Sequence, residues 1–111
     1  MPRKKIDFET VRDIGLALLD VKDATTPRGF ALKLKGRLLA CEALNKSAEP
    51  GSLMVRIGSD ERNLLLASEP DVFYVTDHYA GHPAVLVRLS AISRAALRNV
   101  LERAWRFVSE K

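Results

Sequence analysis

The chain has 111 residues, of which 47% are hydrophobic and 29% charged, with a net charge of +4. This length predicts a single domain over residues 1–111, and this composition excludes a disordered polycation. The basic start at residues 2–5 leads into an acidic, amphipathic stretch, so neither an export signal nor a membrane span is expected. The only cysteine, Cys41, lies in an apolar run, which favours a globular, soluble protein of the reducing cytoplasm.

The first half of the chain predicts a helix followed by a hairpin. Apolar residues at helical spacing predict a helix over residues 8–19, with Asp7 as its N-cap. From Phe30 to Lys35, apolar residues alternate with others, as in a half-buried strand. Lys35 and Gly36 then predict a tight turn, and residues 37–44 the returning strand.

The second half predicts a third strand, a short helix, a second hairpin and a final helix. The third strand is expected over residues 53–57, and Ser59 is expected to cap the short helix that follows. Residues 72–76 and 84–89 predict the second hairpin, and Ser93 is expected to cap the last helix.

The predicted element order is α-β-β-β-α-β-β-α. Short strands joined by hairpins form antiparallel sheets. The expected fold is therefore a two-layer α+β domain, in which a five-stranded antiparallel sheet carries its helices on one face.

Positive charge is concentrated in the first hairpin and in the last helix. In the hairpin, Lys33 and Lys35 lie between Arg28 and Arg37, and Glu42 is the single opposing carboxylate. Such a hairpin can lie along a phosphate backbone, and the alternative interpretation is an ordinary solvated face. No aromatic residue lies between Lys33 and Arg37, so backbone contacts are expected to dominate any DNA binding.

Both histidines and both tyrosines lie within residues 70–89. His78 and His82 have the spacing of metal ligands on one helical face, but Gly81 and a following proline are expected to interrupt a regular helix there. A local role in closing the hairpin is therefore favoured over a metal site. No nucleophile with a matching base is evident in the sequence, so no catalytic residue, cofactor or metal is predicted.

Three further side chains have two interpretations each. Trp105 lies beside the apolar stripe of the last helix, where it closes the core or anchors a partner. Met54 and Arg56 face away from the apolar side of the third strand, which makes that face either a binding platform or a solvated sheet surface.

Four stretches carry a family resemblance: residues 7–11, 30–37, 59–66 and, most specifically, 71–83 with its His-Tyr-x-Gly-x-Pro turn. In these residues the chain resembles the MmcQ/YjbR family of small bacterial proteins. The resemblance implies the order α-β₃-α-β₂-α in two layers, similar to secretion-chaperone-like domains. It also implies DNA binding, because the family shape is similar to a double-wing DNA-binding domain, and it carries over no catalytic residues.

The leading hypothesis is a non-enzymatic module that binds double-stranded DNA. Its predicted contact residues are Arg28, Lys33, Lys35 and Arg37 on one wing, and His78, Tyr79 and His82 on the other. The first group is expected to contact phosphates, and the second to supply polar or stacking contacts. The alternative is a protein-interaction module, such as a homodimer, that uses the sheet face around Met54 and Arg56 or the last helix.

Overall fold

The computed structural model describes residues 6–110, which contain one six-stranded antiparallel sheet and four helices. The basic segment at residues 2–5 lies outside the described residues. The elements in chain order are α1 (Phe8–Leu16), β1 (Val21–Asp23), β2 (Ala31–Leu34), β3 (Arg37–Glu42), β4 (Ser52–Arg56), α2 (Ser59–Ser68), β5 (Phe73–Tyr74), α3 (Asp77–Ala80), β6 (Ala84–Arg88) and α4 (Arg94–Ser109). The strands lie in the order β1-β2-β3-β4-β6-β5.

The α+β class and the antiparallel sheet are confirmed, but the prediction of five strands is wrong. The additional strand is β1, which lies at the edge of the sheet and pairs Val21 with Leu34 and Asp23 with Leu32. A three-residue segment with two charged side chains has no alternating pattern of its own, so its strand conformation depends on pairing with β2.

The helix order also differs from the prediction, because α3 lies within the second hairpin. This single turn ends at Ala80 with Gly81 as its C-cap, so no regular helix joins His78 to His82, as predicted. The observed order is α-β-β-β-β-α-β-α-β-α.

Side-chain caps fix the starts of the two main helices. The Asp7 carboxylate accepts a hydrogen bond from the Thr10 amide at 3.0 Å, and the Ser93 hydroxyl accepts one from the Ala96 amide at 3.1 Å. Both predicted caps are confirmed. The predicted cap at Ser59 is wrong, because Ser59 is already helical and Gly58 is the N-cap of α2.

The main core lies between the long helix α4 and one face of the sheet, here called the helical face. Its strand side chains include Leu53 and Val55 from β4 and Val85 from β6, and α4 contributes Leu97 and Leu101, all of them fully buried. Complete burial of each such side chain contributes about 1.5–3 kcal/mol, so this face carries most of the apolar stabilisation.

The opposite face of the sheet, here called the second face, has a smaller apolar cluster. Met54 and Leu86 are buried there beneath the half-buried rings of Tyr74 and Tyr79. Met54 is only 8% exposed, so the prediction that it faces outward as a binding platform or solvated surface is wrong. Since α3 packs through Tyr79 on this cluster, the helices are not confined to one face of the sheet.

Arg56, the other residue of the predicted outer platform, is half-buried and lies over the Phe107 ring with its guanidinium carbon 5.8 Å from the ring centroid.

No helix in the described part of the chain is long and apolar enough to cross a membrane.

Candidate nucleic-acid interface

The turn between β2 and β3 places the basic residues of the first hairpin. β2 ends at Leu34 and β3 begins at Arg37, so Lys35 and Gly36 form a two-residue loop. Their φ angles are +51° and +82°, and a type I′ turn requires positive φ at both positions. The predicted tight turn is therefore confirmed, and Lys35 belongs to the loop rather than to the strand.

Lys33 projects from the second face, because its neighbours Leu32 and Leu34 are buried in the main core on the helical face. Lys22 on β1 is its direct cross-strand partner, and both lysines are exposed. The Cβ atoms of two residues paired in this way lie about 5 Å apart, so the two lysines place their positive charges side by side on the sheet surface. Sequence reasoning missed Lys22, because β1 was not predicted.

Lys35 and Arg37 continue this charge into the turn. Lys35 Nζ lies 3.9 Å from Asp20 Oδ2 in an exposed ion pair. Within residues 6–110, no carboxylate lies within 4.0 Å of the charged nitrogens of Lys22, Lys33 or Arg37. We call these four residues, Lys22, Lys33, Lys35 and Arg37, the basic edge.

Arg28 lies away from the basic edge. It belongs to the turn between β1 and β2, whose ends are bridged at Thr26 and Gly29. That turn precedes β2, whereas Lys35 follows it, and the four residues of β2 separate the two by about 13 Å at roughly 3.3 Å per residue. The first predicted wing is therefore divided between opposite ends of the sheet.

The second predicted wing is brought together in one turn. His78 and Tyr79 lie on α3 with their rings edge to face at 4.8 Å, and His82 follows with its ring centroid 6.5 Å from that of His78. Both imidazoles are exposed, whereas Tyr79 is half-buried and its hydroxyl accepts a hydrogen bond from the Asn45 amide at 3.3 Å. Two side chains of this wing are thus available to a ligand, and the third mainly anchors the turn.

Arg62 on α2 holds this turn in place. Its Nη1 donates to the carbonyl oxygens of His82 at 3.0 Å and of Ala80 and Ala84 at 3.4 Å each. Its Nε is buried and has no hydrogen-bond partner. Sequence reasoning assigned Arg62 no role, because only the folded chain brings α2 beside the turn.

A second contact fixes the loop at residues 45–51, which lies beside the second face. Arg88 on β6 forms a bidentate ion pair with Glu49 at 2.8–3.0 Å, and its guanidinium carbon lies 4.3 Å from the centroid of the Tyr74 ring. The hydrogen bonds from Arg88 lower the pKa of Glu49, and those to Glu49 raise the pKa of Arg88.

The two wings lie at the same end of the sheet but are separated across it. β3 and β6 are both antiparallel to β4, so the segments that precede them lie at the same end. From β6, the first hairpin is two to three strand spacings away, or about 10–14 Å. The seven predicted contact residues therefore do not form one continuous surface.

Two observations concern metal ligands and the cysteine thiol. Among them, no group of three or more His, Cys, Asp or Glu side chains is arranged to hold a metal ion. Burial raises the pKa of the half-buried Cys41 thiol, and the neighbouring Glu42 carboxylate raises it further. Cys41 is therefore a protonated, weakly nucleophilic thiol.

Comparison with known proteins shows the fold but not a family. No family model matches the chain. The uncharacterized proteins Rv2570 of Mycobacterium tuberculosis and Mb2600 of Mycobacterium bovis are each 43% identical to it over 70 residues, covering 58% of this chain and 54% of the relative. The chain thus spans about half the length of these curated relatives.

Among solved structures, the chain is similar to Deinococcus radiodurans protein DR2400, described as the family-model domain DUF419. The TM-score is 0.75 with 17% sequence identity, over 100% of this chain and 84% of that one. The likeness establishes a shared fold.

Proposed function

We propose that the protein binds double-stranded DNA by holding the phosphate backbone on its basic edge. The observation that carries this proposal is the direct opposition of Lys22 and Lys33 beside the exposed turn that bears Lys35 and Arg37. Cations that lack carboxylate partners attract phosphates, and binding releases the counterions that the phosphates had condensed.

The basic edge supports backbone contacts rather than base readout. It has no aromatic side chain on which a base could stack, and three of its four cations are lysines, which act as compact point charges on flexible stems. Affinity is therefore expected to depend weakly on DNA sequence. If all four cations contact phosphates, the logarithm of the affinity falls with the logarithm of salt at a slope of about −3.6, from roughly −0.9 per contact.

The exposed His78 and His82 form the second contact in this proposal. The turn that carries them lies at the same end of the sheet as the basic edge. By strand spacing, Lys22 on β1 is about 19 Å away, and the β2–β3 hairpin with the other three cations is about 10–14 Å away. The separation from the hairpin is similar to the width of the major groove, roughly 12 Å. The two wings can therefore contact phosphates on either side of one groove.

The proposal includes membership of the MmcQ/YjbR family, with its double-wing shape, and a cytoplasmic, non-enzymatic role in bacteria. The resemblance at residues 71–83 and the fold shared with the Deinococcus protein support it. The protonated, half-buried thiol of Cys41 suits a reducing compartment.

The test is a fluorescence-anisotropy titration of labelled duplex and single-stranded DNA at several salt concentrations. The variant Lys22→Glu, Lys33→Glu is compared with Arg28→Glu, Lys46→Glu, which makes the same change in net charge at exposed positions away from the basic edge. We expect salt-dependent duplex binding by the wild type and the control, and its loss in the first variant. Equal weakening in both variants, or no duplex binding at low salt, would overturn the proposal.

A further inference from the structure

A groove runs along α4 beside the segment that follows α1. It consists of two hollows with volumes of about 560 and 390 Å³, and Leu18 lines both of them. Arg94 lies at one end and Arg106 at the other, twelve helical steps apart, which corresponds to about 18 Å. The apolar residues along the groove are Ile14, Ala17, Leu18, Leu19, Ala95 and Trp105.

Leu19 projects into solvent beside this groove while its backbone is held in place. The residue is 71% exposed, and its carbonyl oxygen accepts a 2.8 Å hydrogen bond from Trp105 Nε1. The next residue, Asp20, has a φ of +62°, so the chain reverses immediately after Leu19. Because its backbone is already fixed, Leu19 would lose little conformational entropy on binding. An exposed leucine of this kind beside a tryptophan is typical of a residue that anchors an interface.

A single exposed leucine is ordinary, and Leu64 on α2 is 66% exposed without further consequence. Three features distinguish Leu19 from Leu64. It lines a hollow, it lies beside Trp105, and its carbonyl oxygen is tied to that indole. Leu64 lines neither hollow of the groove, so it is a matched control for exposure alone.

Arginines at both ends of the groove determine the charge that its ligand must carry. Arg98 pairs with Glu102 at 3.5 Å, which neutralises the middle of the groove. Within residues 6–110, neither Arg94 nor Arg106 has a carboxylate within 4.0 Å. Asp13 lines the same hollow as Arg94, and Glu102 the same hollow as Arg106, so the three arginines of the groove exceed its two carboxylates by one positive charge. The groove is therefore mixed apolar and charged, with a net positive charge and, among the described residues, an arginine without an ion-pair partner at each end.

We propose that this groove binds an acidic amphipathic segment of another protein. Apolar side chains of the segment would pack on Leu19 and Trp105, and its carboxylates would pair with Arg94 and Arg106. A helix that inserts its apolar face into a groove is a common recognition mode, and about 18 Å accommodates roughly three helical turns. A second copy of this chain is a poor occupant, because two molecules of net charge +4 repel each other.

The test begins with a display library of random peptides long enough for about four helical turns. Peptides are selected on the wild-type protein and counter-selected on Leu19→Asp. We expect the enriched sequences to combine large apolar residues at helical spacing with an excess of Asp and Glu. An absence of enrichment, or enriched sequences without excess acidic charge, would overturn the proposal.

An enriched peptide that lacks tryptophan is then titrated against the protein, because Trp105 is the only tryptophan of the chain and its emission reports on the groove. We expect a change in emission on binding. Affinity should fall at least tenfold in Leu19→Asp and in Arg94→Glu, Arg106→Glu, and should be unchanged in Leu64→Asp. An equal loss of affinity in Leu64→Asp would assign the binding to general surface contacts and refute the proposal. A change in emission that depends on protein concentration in the absence of peptide would assign it to self-association and also refute the proposal.

Discussion

Lys22 and Lys33 are direct partners across β1 and β2, so two like charges occupy one position of an antiparallel ladder. Such a pair destabilises a sheet, and converting it into an opposite pair is worth a few tenths of a kcal/mol, up to about 1 kcal/mol. We expect Lys22→Glu and Lys33→Glu, each alone, to raise the midpoint of urea unfolding. The double variant restores a like-charge pair and should return close to the wild-type midpoint.

DNA binding should follow a different pattern in the same variants. Each substitution removes one cation and adds one anion, so affinity should fall in both single variants and fall further in the double variant. In the urea experiment, a double variant with the highest unfolding midpoint of the set would show that Lys22 and Lys33 do not interact electrostatically. Lys46→Glu is the control, since Lys46 is exposed and lies in the loop between β3 and β4.

Gly15→Ala is expected to destabilise the protein, because a Cβ atom at Gly15 would collide with Leu32 Cδ1. Leu32 is fully buried and has little room to move. Overpacking costs about 1–3 kcal/mol, and the higher helix propensity of alanine offsets roughly 1 kcal/mol of it. Urea unfolding measures the difference between the two effects.

Gly81→Ala is the matched control, since Gly81 has a φ of −81° and a Cβ atom added there would have nothing within 4 Å. It should be nearly neutral. Combining Gly15→Ala with Leu32→Val should cost less than the sum of the two single changes, because the valine removes the atom in conflict. If the two changes in unfolding free energy were simply additive, the Cβ atom at residue 15 would not be in conflict with Leu32.

The Glu49–Arg88 ion pair predicts a dependence of stability on pH. The pKa of Glu49 in the folded protein lies below the ordinary value of 4.5, so its stabilisation is fully present above that pH and is lost as the pH falls through the folded pKa. We expect Glu49→Gln to lower the urea midpoint near neutral pH, and the difference from wild type to shrink in acid. Glu69→Gln should change little at either pH, and a difference that persists undiminished in acid would contradict this assignment.

Arg62→Met is expected to loosen the turn that carries His78 and His82. The substitution keeps an unbranched apolar stem but removes the guanidinium, which is the donor to three carbonyl oxygens. Hydrogen bonds from a charged donor contribute roughly 1.5–3 kcal/mol, and amide exchange should accelerate over residues 77–84. Arg98→Met, at an exposed ion pair on α4, is the control. Unchanged exchange in this turn would show that Arg62 does not hold it.

Local signals predicted the elements whose determinants lie within a few residues. Asp7 and Ser93 cap their helices as expected, and Lys35-Gly36 forms the expected turn. The alternation around Met54 correctly separated it from its neighbours in the main core. That the second face is also buried around Met54 could not be predicted, because Tyr74 and Tyr79 reach it from a distant part of the chain.

The candidate interface was only partly predictable for the same reason. Lys33, Lys35 and Arg37 are neighbours in the sequence and remain neighbours in the fold. Lys22 lies beside them only because β1 pairs with β2. Arg28 lies apart from them because its turn is at the far end of β2. Arg62 could not be identified from the sequence at all, since its partners are carbonyl oxygens that every residue possesses.

Both outer strands of the sheet are short: β1 has three residues and β5 has two. An exposed strand edge is a template on which another chain can add, and natural sheets limit this hazard with brief edges and with lysine. Here one edge carries Lys22, and the other offers only Phe73 and Tyr74 for pairing. The sheet is therefore poorly suited to edge-to-edge polymerisation, which favours resistance to fibril formation even at high protein concentration.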